Sequence, residues 1–148
     1  MSFRRYLIFF SLFVGLTWLL SYWLSFYMAL ASGAYFLMLS GVVLRRERTL
    51  HMALMLTAIF TDLSLVLVLE LQRSAIETAL SMAMSPLQQA HIFCSSLALL
   101  LYFPVVILGV KSFFASVSRG KYRAWHMRLG LLALTFRSLG FLFMFSLL

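Results

Sequence analysis

The run Tyr6–Leu44 decides the fold. It reads YLIFFSLFVGLTWLLSYWLSFYMALASGAYFLMLSGVVL and is closed by Arg4-Arg5 before it and Arg45-Arg46-Glu47-Arg48 after it. Its thirty-nine residues carry no charge. A helix crosses a hydrocarbon core of about 30 Å with about 20 residues, so the run is too long for one span and right for two. The aromatic stretch Tyr22, Trp23, Phe26 and Tyr27 suits a membrane interface and puts the turn near Ser25–Tyr27. Working outward, further apolar runs cover His51–Leu71, Ala90–Val110 and His126–Leu147, separated by the polar segment Gln72–Gln89 and the basic loop Lys111–Arg123. The pattern predicts an all-α integral membrane helical bundle with five transmembrane helices, over residues 6–24, 27–44, 51–71, 90–110 and 126–147, in a single transmembrane domain.

Composition agrees. Of 148 residues, 64% are apolar and 11% charged, against about half and about a quarter in soluble domains. One cysteine, two prolines and seven glycines exclude a disulfide scaffold, collagen and disorder. No ten-residue alternating segments mark a membrane β-barrel. The net charge of +8 does not point to nucleic acid, because the basic residues punctuate apolar runs rather than build a soluble face. They are topology signals. Five spans put Arg4, Arg5, Arg45, Arg46, Arg48, Lys111, Arg119, Lys121, Arg123 and Arg128 on one side, with Arg73 on the other and Arg137 within a span. That bias predicts a cytoplasmic N-terminus and an outer C-terminus. Arg4-Arg5 and Ala29-Leu30-Ala31 resemble the ends of a signal peptide, but cleavage would leave Ser32–Leu44, too short to span; the segment is read as retained.

Charged groups inside a span are costly and are usually paired or functional. Asp62 lies eleven residues after His51, and Arg137 eleven after His126. Eleven residues rise about 16.5 Å and return to nearly the same face. The spacing predicts that the third and fifth helices face each other, with Asp62 and Arg137 as an ion pair near mid-membrane and the two histidines at the cytoplasmic end. That pair either pins helix register alone or serves a proton or electron path. Three readings are open for His51 and His126: axial ligands of a haem b, ligands of a metal ion, or interfacial residues beside Arg-rich loops. A weaker group lies on the outer side. His91 and Cys94 are three residues apart on one helix, with Met82 and Met84 before them, and imidazole with soft sulfur suits copper(I). The alternative for His91 is a hydrogen bond to Glu70 or to a loop carbonyl. Ile76, Leu80, Met84 and Leu87 recur at helical spacing and suggest a short interfacial helix. In the second helix Ala29, Gly33, Ser40 and Gly41 allow close backbone approach, or are only the small residues common in such helices. Pro104 predicts a kink or a local gap in hydrogen bonding. No catalytic triad, P-loop, dinucleotide fingerprint or H-E-x-x-H motif occurs, so an enzyme is the less favoured class.

The order of features resembles a family. Arg45-Arg46-Glu47-Arg48 precedes His51-Met52-Ala53-Leu54-Met55; Ala90-His91 opens a span containing Leu101-Tyr102-Phe103-Pro104; and Ser118–Leu129, with Trp125-His126-Met127-Arg128, opens the last. This is similar to small bacterial membrane proteins of unknown function, the CtaM/YozB type, over Ala29–Leu148. The matched positions are His51, Met55, His91, Pro104 and His126. The resemblance implies a four-helix core after one extra N-terminal helix, a bacterial cytoplasmic membrane and, in one branch, cytochrome oxidase maturation. Asp62 and Leu134-Thr135-Phe136-Arg137 depart from the family pattern. Three functions are carried forward: a non-enzymatic accessory or assembly protein of a respiratory or other redox complex, contacting lipid and membrane proteins of that complex and handling haem or copper; a small b-type cytochrome with haem between His51 and His126; and a purely structural subunit.

Overall fold

The computed structural model describes residues 2–73, 77, 85–114 and 119–145. Those residues form five helices: α1 (Ser2–Leu20), α2 (Phe26–Val43), α3 (Arg48–Arg73), α4 (Pro86–Phe114) and α5 (Arg119–Met144). Each is long and apolar enough to cross a membrane, and the chain is an all-α integral membrane protein. The helices overrun the apolar stretches at most ends. The basic segment expected as a loop is largely helical, since α4 continues to Phe114 and α5 already begins at Arg119. Hydropathy marks where lipid begins, while a helix continues into water as long as its backbone bonds propagate. The first turn falls at residues 21–25, slightly earlier than the aromatic stretch suggests.

Local chemistry fixes the starts. Ser25 caps α2 by accepting from the Met28 N–H at 3.3 Å. Ser85-Pro86-Leu87-Gln88 is a capping box with proline at the first helical position: the Ser85 Oγ accepts from the Gln88 N–H at 3.4 Å, and the Gln88 Oε1 accepts from the Ser85 N–H at 3.0 Å. Helix α4 runs through Pro104 as one helix.

The chain divides into two compact units, Met1–Ala75 and Ile76–Leu148. In the first, α2 packs on both α1 and α3, and α1 also touches α3. The face of α2 that meets them is built from Ala29, Ser32, Gly33, Ala34, Leu37, Met38 and Gly41, all buried. Lipid tails give no hydrophobic drive for helices to associate, so close packing and hydrogen bonds must do it. A Cβ at Gly33 would collide with Thr17 Oγ1 and sit 2.9 Å from the Phe13 ring; glycine is what lets α1 approach. Tyr6 and Thr57 share a hydrogen bond at 2.9 Å, Arg5 pairs with Glu47, and the Tyr27 hydroxyl donates to Gln72. These contacts tie α1 to α3 and α2 to α3. In the second unit α4 and α5 pack along their length. The stripe Cys94, Ala98, Tyr102, Val105 of α4 is buried, as are Ala133, Arg137, Gly140 and Met144 of α5.

Candidate functional site: three histidine clasps

Each histidine makes the same kind of contact through Nδ1. His51 Nδ1 lies 2.7 Å from the Gly41 carbonyl of α2. His91 Nδ1 lies 2.7 Å from the Gly140 carbonyl of α5, and His126 Nδ1 lies 2.9 Å from the Val105 carbonyl of α4. A carbonyl can only accept, so Nδ1 carries the hydrogen in all three rings, which fixes the orientation of each imidazole. For His51 the acceptor has a clear need. Gly41 is in the last turn of α2, where Leu44 N–H donates to Ser40 and Arg45 N–H to Val42. Carbonyls at a helix end lack intrahelical donors, and the imidazole supplies one. For His91 the acceptor is a carbonyl within helix α5 rather than one in a loop.

A second contact accompanies each bond. The residue four places after the histidine packs on the residue whose carbonyl accepts. Four places share one helix face. Met55 lies over Gly41, where a Cβ would meet its sulfur at 2.9 Å; Ser95 lies over Gly140, where a Cβ would meet its Oγ at 2.6 Å. The third clasp reverses the sizes: Val105 is the large partner and Gly130 the small one, with 4.0 Å from a Gly130 Cβ to Val105 Cγ1. The His126 ring also packs over Gly109, whose Cβ would stand 3.0 Å from Cε1. Within the α4–α5 hairpin the two clasps are reciprocal, each helix donating one histidine and accepting the other. Val105 follows His91 by fourteen residues, and Gly140 follows His126 by fourteen.

The same frame positions the buried polar groups. Seven residues after each histidine stands a buried alanine, Ala58, Ala98 or Ala133. Eleven residues after each stands a buried polar residue: Asp62 at 5% exposure, Tyr102 at 3% and Arg137 at 6%. The sequence spacing finds Asp62 and Arg137; Tyr102, Ser95, Gly109, Val105 and Gly140 escape it. Alignment of the three spans on their histidines is the signal that would have found Tyr102. Asp62 belongs to the first unit and Arg137 to the second, and each continues the buried stripe of its own helix. Their pairing stands as an expectation from spacing. Arg137 lies within electrostatic range of His91, one turn before Gly140 on α5.

The proposed copper ligands divide. His91 and Cys94 lie on α4, with Cys94 buried and its thiol free of any disulfide. Met82 and Met84, and most of the expected interfacial helix, lie outside the described residues. Among the described residues, no three His, Cys, Asp or Glu side chains gather as a metal group. His51 and His126 fall in different units, each clasped inside its own. Donation from Nδ1 to a backbone carbonyl also orients metal-ligating histidines, so the contact each imidazole makes is compatible with either role. Comparison of the chain with protein-family models, with curated proteins and with solved structures finds no match.

Proposed function

We propose that the chain is a non-enzymatic accessory or assembly protein that works inside the membrane, on other membrane proteins of a redox complex. The observation that supports this reading is that all three histidines serve one repeated helix-pairing contact through Nδ1, in a sequence without a recognisable catalytic motif. The link to a redox complex rests on the family resemblance of Ala29–Leu148. The lipid-facing helix surfaces supply the docking area, and the basic ends orient the chain with its N-terminus in the cytoplasm of a bacterial cell. Copurification after crosslinking in native membranes tests this reading. The expected result is specific capture of membrane redox proteins, and a chain recovered alone at native abundance overturns it.

A b-type cytochrome is the second reading, favoured by the fixed Nδ1–H orientation of His51 and His126. Oxidised and reduced visible spectra of the purified chain separate the two. A Soret band lost in both His51→Ala and His126→Ala establishes the cytochrome, and a colourless, iron-free preparation removes it.

A further inference from the structure

We infer that the first unit binds one anionic phospholipid, with an acyl chain in the groove between α1 and α2 and the headgroup phosphate on the arginines at its basic end. The groove is lined by Phe9, Phe36, Leu39, Ser40, Val43 and Leu44 and has a volume of about 290 Å³. From Phe36 to Leu44 it follows the end of α2 and its C-cap over eight helical steps, about 12 Å. One leaflet of a hydrocarbon core is about 15 Å deep, so the groove matches most of one lipid tail. Its walls are apolar apart from Ser40, whose hydroxyl is turned back on the Phe36 carbonyl at 2.9 Å.

Charge selects the lipid. Leu44, at the end of the groove, is followed directly by Arg45-Arg46-Glu47-Arg48, and Arg5 stands one turn before Phe9 on the same face of α1. Arg5 and Glu47 pair with each other, which holds the start of α1 against the α2–α3 turn. Arg4 is the adjacent residue of α1 at the same end of the helix. Five arginines against one glutamate leave four positive charges without a carboxylate, and Arg4, Arg45, Arg46 and Arg48 are exposed. Arginine matches phosphate geometry through paired N–H groups. A second groove, lined by residues that include Thr17, Trp18, Phe26 and Leu30, lies toward the opposite end of α1 and α2. At that end of the unit the sequence places Glu70 and Arg73, one charge of each sign, against the arginine cluster at the other end. The two grooves have similar walls and different charge, so headgroup chemistry distinguishes them.

Native mass spectrometry of the full chain in detergent micelles tests the site, since micelles remove any effect of charge on membrane orientation. The probes are phosphatidylglycerol and phosphatidylcholine with identical acyl chains. The wild type should retain phosphatidylglycerol in preference. Each arginine near a membrane surface contributes about fivefold to anionic-lipid affinity, so R45Q/R46Q should lower the preference by that factor per residue. R4Q/R48Q should do the same by an independent pair of changes. S40F, which fills the groove, should weaken both lipids while leaving their ratio unchanged. K121Q/R123Q, in the other unit, should change nothing. Equal retention of the two lipids by the wild type overturns the inference. So does a preference that survives both arginine pairs, or one abolished by K121Q/R123Q alone.

Discussion

Gly140→Val places a side chain where α4 and α5 meet most closely. Its Cβ would lie 2.6 Å from Ser95 Oγ and 3.3 Å from the Ser95 backbone nitrogen. Ordinary contact begins at 3.4 Å, so the overlap with Oγ is about 0.8 Å. The Ser95 backbone nitrogen, at 3.3 Å, asks for a shift of only about 0.1 Å, so the clash lies with Oγ, which must leave its buried position or push the helices apart. Overpacking of this kind costs about 1–3 kcal/mol. Parting them also lengthens the His91–Gly140 bond, and an interhelical hydrogen bond in a membrane protein is worth about 0.6 kcal/mol on average. The third clasp shows the remedy, because there valine accepts the histidine and glycine faces it. Ser95→Gly in the Gly140→Val background rebuilds that arrangement. It removes the Oγ and leaves backbone contacts of 3.3 and 3.5 Å. It also discards a buried hydroxyl with no hydrogen-bond partner among the described residues. A glycine inside a helix costs about 1 kcal/mol relative to alanine, so the rescue is partial, with a coupling energy of about 1–2 kcal/mol, typical of residues in contact. The assay is reversible unfolding in mixed micelles, followed by fluorescence of Trp125 in a chain with Trp18 and Trp23 changed to Phe. The reasoning is refuted if Gly140→Val unfolds at the wild-type midpoint, or if the double variant is no more stable than the single one.

Gly33→Val should detach α1 from α2 while leaving the α4–α5 hairpin intact; faster hydrogen exchange confined to residues 2–20 checks this, and unchanged protection there speaks against the close approach. The spacing of Asp62 and Arg137 predicts that removing either charge costs more than removing both, since an unmatched buried charge is expensive; additive losses for Asp62→Asn and Arg137→Gln in a double-mutant cycle would dismiss the pair.

Helix number and order are legible because each span has to fill the hydrocarbon thickness with apolar side chains, and Tyr6–Leu44 can do so only as two helices. Helix ends are less legible. Arg119, Lys121 and Arg123 read as a loop by composition, yet arginine and lysine are good helix formers and lie within α5. The histidines illustrate a deeper limit. Their positions at span starts are plain, but their partners are backbone carbonyls, which every residue has and no side chain advertises. A search for side-chain partners therefore turns to Glu70 for His91, where the fold supplies Gly140. Glycine is informative only together with what faces it. Gly33 and Gly41 are visible in a stripe of small residues, whereas Gly140 and Gly109 lie outside any such stripe and gain meaning from Ser95 and His126.

The reciprocal clasps of the α4–α5 pair carry a mechanical consequence. His126 and Val105 make one anchor, and His91 and Gly140 make another about 21 Å further along the helices. Sliding one helix past the other by a single residue would break both bonds together, and splaying at one end leaves the other held. One anchor would act as a pivot; two that far apart act as a splint.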